Sequence, residues 1–505
     1  MALDTSSVLG ATTPVFDDVT LWLPNHDLKI DLAQYITYIK IYEDIFSPVL
    51  TGQIRIYDSV NLLNRMPIVG NEQITIKVYS SNYNETENDD LNFLHRTFDI
   101  NKITNIVDVN DYTKEYTLHF ASPELRRSES LKLSKGFKNK RLSEVVDSVL
   151  TSEYFIGQEQ NGTPQGLGFP YDTEFAFEYK PVTPTYLPDV EKRYKKIDKQ
   201  DSIELFIEKT LFDEPVVSFP YLRPLEVISW ICDRSIRSSR GRSSGIHSEA
   251  ANFLFFENKR GFQFCSIDTL LENKDSTNMA RFKYGNAVQN ITKNREITTQ
   301  RIEELQVQNC YDILQNIRRG VYASKLVSYD IATGNMRELD YNYLDSFQST
   351  ESTERNDQTE DFPMIAHDDI TLSESYLASR HFIVNSPYPT VDPFTCSPTD
   401  RRNDSKALSG QEEYLQNRLS QIGRLSNYRA VFNIPANSKH KVGDLIEIDI
   451  KDLIPSENAM HAVEEPNKYY SGYYLISCIE HSITKTEYKM NIEAIKDASR
   501  NRLTS

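Results

Sequence analysis

Lys441-Val442-Gly443-Asp444-Leu445-Ile446-Glu447-Ile448-Asp449-Ile450 is a glycine turn feeding a strand, because isoleucine recurs at every second position from Ile446. After a polar excursion come Ser471-Gly472-Tyr473-Tyr474-Leu475-Ile476-Ser477-Cys478-Ile479 and Thr486-Glu487-Tyr488-Lys489-Met490-Asn491-Ile492. The same three parts stand near the N-terminus. They are Val69-Gly70-Asn71-Glu72-Gln73-Ile74-Thr75-Ile76-Lys77-Val78, Phe98-Asp99-Ile100-Asn101-Lys102-Ile103 and Lys114-Glu115-Tyr116-Thr117-Leu118-His119-Phe120. Gly70 and Tyr116 lie 46 positions apart, Gly443 and Tyr488 45. Any two β-rich domains share glycine turns and alternating strands, so one shared motif decides nothing. Three motifs in one order at nearly constant spacing favour a duplicated, barrel-like module. Its repeat-defining positions are Gly70, Glu72 and Tyr116 in the early copy, and Gly443, Asp444, Gly472 and Tyr488 in the late one. Three such chains around an axis would present six similar units.

The 505 residues suffice for two to four domains, each with its own core. A net charge of −17 argues against a nucleic-acid binder, because phosphate affinity comes from clustered Lys and Arg displacing counterions. An acidic surface suits a conduit through which DNA slides without sticking, wherever those carboxylates sit. Cys232, Cys265, Cys310, Cys396 and Cys478 are odd in number and widely spread, which reads as reduced and mostly buried. Met1 through Pro14 lack a basic region followed by an apolar core, so no secretory leader is expected. No apolar run approaches the roughly 18 residues of a spanning helix, so no membrane partner is expected. The 29 Tyr and 24 Phe suit strands and half-buried subunit interfaces.

Residues Val19 to Ser122 read as mostly β, with Gln53-Ile54-Arg55-Ile56-Tyr57 alternating and Ser80 to Asn92 an exposed loop. Leu142, Val145, Val146, Val149 and Leu150 share one helical face. The basic cluster before them, Lys132, Lys135, Lys138, Lys140 and Arg141, reads as a solvated loop and helix start, with an anionic partner as the alternative. Ser152 to Asp201 is Gly- and Pro-rich and then highly charged, either an arm reaching a neighbouring subunit or an untethered insertion.

Ile203 to Thr210 reads as a strand, Pro224 opens a helix, and Phe253 to Phe264 is a hairpin turning at Asn258-Lys259-Arg260-Gly261 and packing on that helix. Arg234, Arg237, Arg240 and Arg242 form the sharpest positive patch, read as a flexible surface loop or a dock for an acidic partner. Val321, Tyr322, Leu326, Val327 and Tyr329 suggest a long strand pairing with the C-terminal unit, ending in a hairpin turn over Asp330 to Asn335. Ser346 to Asp361 has almost no apolar content to offset ordering entropy, so disorder, or order upon assembly, is expected. Gln411 to Leu425 reads as a short helix with Tyr414, Leu415, Leu419 and Ile422 on one side.

No catalytic constellation convinces. There is no HExxH, GxxxxGK[ST] or GxGxxG, and no two of the nine histidines stand at i, i+4. His119 and His481 fall in strands and read as structural. Catalytic, cofactor-binding and metal residues are therefore all expected to be none.

The ordered set of motifs resembles the baseplate hub of contractile-tailed phages, of the T-even type. It includes Glu43-Asp44-Ile45-Phe46-Ser47-Pro48-Val49-Leu50-Thr51-Gly52, the Gly70 turn and Phe120-Ala121-Ser122-Pro123-Glu124. It continues through Phe253-Leu254-Phe255-Phe256-Glu257, Gly261-Phe262-Gln263-Phe264-Cys265-Ser266-Ile267 and the Gly443 and Gly472 motifs. That resemblance implies an α+β, predominantly β fold, with two tube-type barrel domains and an inserted peripheral α+β domain. The expected division is 1–122 for the first barrel unit, and 123–310 for the insertion with its long loop 152–201. The second barrel unit is 311–345 plus 421–497, 346–420 a polar insertion and 498–505 a tail.

It further implies a non-enzymatic homotrimer in the virion tail baseplate, assembled in the host cytoplasm. This trimer would adapt a trimeric central spike to hexameric tail tube rings and surround the channel for tape measure and DNA. Wedge proteins are further candidate partners. Two other classes stay open: a tail-associated peptidoglycan hydrolase, which a zymogram would reveal, and a carbohydrate-binding adhesin, which would need exposed aromatic platforms.

Overall fold

The computed structural model describes residues 13–23, 28–65, 68–80, 94–151, 190–195, 204–211, 213–237, 252–272, 279–284, 301–310, 312–330, 336–343, 352–353, 379–385, 410–436, 440–454, 463–467 and 470–498. The fold is α+β and predominantly β. The N-terminal strands are β1 (Pro14–Leu23), β2 (Leu28–Asp31), β3 (Ile36–Asp44), β4 (Thr51–Asp58), β5 (Gln73–Ser80), β6 (Leu94–Asn110) and β7 (Thr113–Ala121). Alternation decides their faces: Ile74, Ile76 and Val78 of β5 and Ile39 and Ile41 of β3 are fully buried. Each such side chain contributes about 1.5–3 kcal/mol by leaving water.

The insertion carries β8 (Leu133–Arg141), β9 (Val190–Lys195), β10 (Glu204–Glu208), β11 (Asp213–Leu222), β12 (Phe253–Asn258) and β13 (Gly261–Ser266). β12, β13, β10 and β9 form one sheet, and β11 pairs with β8. The helices Leu142–Thr151 and Pro224–Cys232 bury Val145, Val146, Val149, Val227, Ile228 and Ile231 beside Phe253, Phe262 and Phe264, giving this part its own core. The expected hairpin and both helices stand where the sequence places them. The basic cluster does not form a loop: Leu133–Arg141 is strand β8, burying Leu133 and Phe137 while Lys138 and Lys140 face out. With just two apolar anchors, its period is too sparse to recognise.

Next come β14 (Ala280–Tyr284), β15 (Glu304–Asn309), β16 (Ala323–Asp330), β17 (Met336–Asn342) and β18 (Arg380–Asn385). The chain closes with β19 (Tyr428–Pro435), β20 (Leu445–Ile454), β21 (Val463–Pro466), β22 (Gly472–Thr484) and β23 (Tyr488–Lys496). The expected long strand is β16, but it pairs with β17 and β18 in a sheet of its own; β15 is what joins the C-terminal unit, through β19. Val321 and Tyr322 pack instead with Ile313 and Ile317. Alternation shows which face is buried, never which strand lies alongside.

One sheet of 14 strands runs through both ends of the chain in the order β15-β19-β23-β22-β3-β4-β7-β6-β5-β1-β2, with β20, β14 and β21 branching from β22. A single hydrophobic core underlies it, drawing on both units and on Phe256, Cys265, Ile267 and Leu271 of the insertion.

Other expectations change with packing. The helix Gly410–Leu425 exposes Ile422 and turns Gln416, Ser420, Gln421 and Arg424 inward. Gln416 Nε2 donates to the Ser324 carbonyl at 3.0 Å and Ser420 Oγ to the Val321 carbonyl at 2.7 Å, so this helix is held by hydrogen bonds that a polar face alone can make. Arg237 is no surface residue: it is buried between Glu208 (2.9 Å) and Glu272 (2.6 Å). Arg240, Arg242, the Ser80–Asn92 loop apart from Ser80, most of the 152–201 arm and the 331–335 turn lie outside the described residues. Within Ser346–Asp361, Ser352 and Thr353 are buried, and Thr353 N donates to Asp497 Oδ1 at 2.8 Å. Cys232, Cys265, Cys310 and Cys478 are free thiols, with Cys310 exposed; Cys396 is outside the described residues. No described helix is long and apolar enough to cross a membrane.

Candidate functional site

The two ends of the chain carry the same sheet. In chain order, β3, β4, β5, β6 and β7 stand side by side as first, second, fifth, fourth, third, and β15, β19, β20, β22 and β23 do likewise. Each third strand is entered by the same kind of turn. Gly70 has φ +102° and Gly443 φ +84°, conformations that favour glycine. Glu72 accepts from the amides of Val69 (2.9 Å) and Gly70 (2.7 Å), and Asp444 from that of Lys441 (3.1 Å), so a carboxylate closes each loop. Gly472, at φ +135°, opens β22.

The return strand then makes the same bond in each copy: the Ile100 amide donates to the Glu72 carbonyl and the Ile476 amide to the Asp444 carbonyl, both at 3.0 Å. Directly after it each strand bulges, between Ile100 and Lys102 and between Ile476 and Cys478. Counted from this shared bulge, Tyr116 stands level with Met490, and Tyr488 with Lys114. The tyrosine spacing is thus two residues off the structural register, although both rings are buried. A better marker is Gly52, which faces Phe120 as Ala430 faces Ala494: a small residue at one position of both second strands. A Cβ on Gly52 would stand 2.5 Å from the Phe120 ring and 2.6 Å from the Lys40 carbonyl.

The two sheets meet where β22 changes neighbours. Its Gly472–Leu475 stretch pairs with β20, and Cys478–Thr484 pairs antiparallel with Tyr38–Asp44 of β3. Across this joint Lys40 Nζ lies 2.8 Å from Glu480 Oε1 on the outer face. On the inner face His481 Nε2 is 2.9 Å from Glu43 Oε1, and its Nδ1 is 2.9 Å from the Tyr488 hydroxyl. All three are at most 2% exposed, so this trio is placed to hold strands together and not to meet a substrate. Burial pushes the Tyr488 hydroxyl upward.

The β12–β13 hairpin tip plugs the same region from below. Glu257 Oε2 accepts from the Leu50 amide (2.9 Å) and the Ser122 hydroxyl (2.5 Å), and Phe256 rests against Gly443. Lys259 is buried, and desolvation lowers its amine to about 7 against the pull of Glu43 and Asp444; its Nζ finds no hydrogen-bond partner. Burial likewise raises Glu257 to about 7. No group of three or more His, Cys, Asp or Glu among the described residues could hold a metal ion.

What the joint uses, the chain also leaves unused elsewhere. β15, the counterpart of β3, pairs with β19 on one edge and with no described strand on the other. β6, the counterpart of β22, pairs with β5 from Leu94 to Asp99, and beyond that its edge has no described strand. Ile106, Val107 and Val109 on that stretch are 57%, 51% and 49% exposed. Such apolar residues on an open strand edge invite pairing.

No protein-family model and no curated protein matches this chain. Among solved structures it is similar to the 43 kDa tail protein of prophage MuSo2 from Shewanella oneidensis, at 10% identity and TM-score 0.41, over 95% of this chain and 99% of that one. It is similar to a tail protein from Neisseria meningitidis MC58 at 7% identity and TM-score 0.42, over 95% and 96%. A third is the E. coli c3393 protein, a component of the type VI secretion system, at 9% identity and TM-score 0.37, over 97% and 79%. Overlaps this slight carry no argument about what the chain does.

Proposed function

We propose that this chain is a structural hub of a contractile phage tail, a homotrimer whose two equivalent sheets per copy make a collar of six. What supports this reading most is the shared strand order, turn and bulge of the two ends. A chain with two equivalent units reconciles threefold and sixfold neighbours when three copies close around an axis. One face then takes a trimeric central spike and the other a hexameric tube ring, with tape measure and DNA passing through the middle. The net charge of −17 suits a channel that repels phosphate.

In this reading 1–122, β14, β15 and the C-terminal strands build the collar. The rest of the 123–310 insertion lies outside it, where wedge proteins are candidate partners, and the baseplate of the virion is its place. Gly70, Glu72, Gly443, Asp444 and Gly472 shape the paired turns; Tyr116 and Tyr488 are buried in the core that the two units share. The test is electron microscopy of the purified chain viewed down its axis. A threefold outline around six similar densities is expected, and a twofold or asymmetric particle would refute the proposal.

A further inference from the structure

Among the described residues the joint between β3 and β22 occurs once, while β15 and β6 beyond Asp99, the counterparts of its two halves, each have an edge with no described strand. We infer that the open edge of β15 pairs antiparallel with the edge of β6 over Lys102 to Thr104 in a second copy of this chain, in the register that β3 and β22 already show, before β6 bulges a second time between Thr104 and Val107. This rests on the trimeric-collar reading and names the surface through which the copies meet.

The register follows from the strand partners. Ile100 faces Phe120, Phe120 faces Gly52, and Gly52 faces Ile41. In the other sheet Ile476 faces Ala494, Ala494 faces Ala430, and Ala430 faces Val307. Ile100 and Ile476 are each the last residue before the bulge, so Ile41 and Val307 are level, and three residues on so are Asp44 and Cys310. Lys102 and Cys478 are each the first residue after it. Inside the chain Cys478 faces Asp44. Between chains Lys102 therefore faces Cys310 of a second copy, Ile103 faces Asn309 and Thr104 faces Gln308.

Occupation by a second copy is favoured over other partners for a geometric reason. The edge to be covered is the counterpart of one that this chain covers with its own strand, and the strand that would cover it has no described strand on its outer edge. Exposed Ile106, Val107 and Val109 follow directly after this second bulge, at the end of the proposed contact. Each copy gives one β15 edge and takes one at β6, so the contact is head-to-tail and closes a ring when the rotation allows.

One substitution tests the register. Ile45 N donates to the Ser477 carbonyl at 3.0 Å, which makes Asp44 and Cys478 a pair without mutual hydrogen bonds, the kind whose Cα atoms approach to about 4.5 Å. That distance lies within disulfide range. Lys102 and Cys310 are both exposed in the single chain. Lys102→Cys in the full chain, oxidised mildly and run without reductant, is expected to give covalent dimers and trimers. Lys102→Cys/Cys310→Ser and Thr104→Cys are expected to give none. Light scattering on the same samples separates the two readings. A trimeric mass without Cys310-dependent bands overturns this register and leaves the collar standing. A monomeric mass overturns both, and bands that persist without Cys310 also refute the register.

Discussion

His481 and Glu43 meet at 2.9 Å across the strands that join the two ends of the chain, 438 positions apart in sequence, and neither is more than 2% exposed. Replacing His481 by Phe strips Glu43 of one partner and the Tyr488 hydroxyl of its own. Leaving a buried carboxylate and a buried hydroxyl without their partner costs about 3 kcal/mol. Thermal unfolding of His481→Phe should show a large fall in Tm, and His481→Phe/Glu43→Leu a partial recovery. Equal loss in both variants would contradict a pair that holds the joint.

Lys259 and Glu257 give the hairpin plug a pH signature. The amine falls to about 7 in the folded chain from 10.5, so the folded state holds fewer protons than the unfolded between those values, and stability rises as pH climbs through that window. The carboxyl rises to about 7 from 4.5, so stability falls as pH climbs from 4.5 to 7. Each contribution is at most roughly 3 to 5 kcal/mol. Denaturant midpoints should therefore pass through a shallow minimum near neutrality. Lys259→Met should flatten the alkaline arm and raise the midpoint at pH 7, and Glu257→Gln should flatten the acid arm. Unchanged slopes in both variants would show that the plug does not titrate this way.

Gly52 leaves no room for a side chain beneath Phe120. Gly52→Val should cost about 1–3 kcal/mol or more by overpacking, since the nearest obstacles are a buried ring and a backbone carbonyl. A urea midpoint equal to that of the parent chain would mean the second strand yields more easily than its geometry suggests.

How much of this was legible beforehand depends on which interactions leave a period. Strands such as β5, with Ile74, Ile76 and Val78 on one face, announce themselves, as do the helix Leu142–Thr151 and the β12–β13 hairpin. Neighbour choice leaves no such trace: β16 looks like a strand of the C-terminal unit and belongs elsewhere, while β15, with two half-buried apolar residues, takes that place. The polar inward face of Gly410–Leu425 and the buried Arg237 reverse the usual reading of charge as surface, because each is matched by partners distant in sequence. For the duplication, the glycine turns stood out while the tyrosines misled by two residues. Aromatic identity is free to drift along a buried face, and a bulge fixed by backbone hydrogen bonds is not.

Salt should distinguish the inner joint from the proposed outer one. Lys40 and Glu480 bridge the first at 2.8 Å, and the level positions in the second are Gln306 and Thr104. Ion pairs at a surface weaken as salt shortens the screening length to about 3 Å at 1 M, and an interface built on backbone pairing and apolar contact does not. The assembled mass should therefore be the same at about 0.1 M and 1 M salt. Dissociation at the higher value would place charged residues at the contact instead.

The mass of the purified chain in solution, by light scattering during size exclusion, tests the central claim most directly. Two equivalent sheets per copy and three copies per ring predict about 175 kDa, three times the 58.3 kDa chain. A mass that stays at one chain across the accessible concentration range would contradict it.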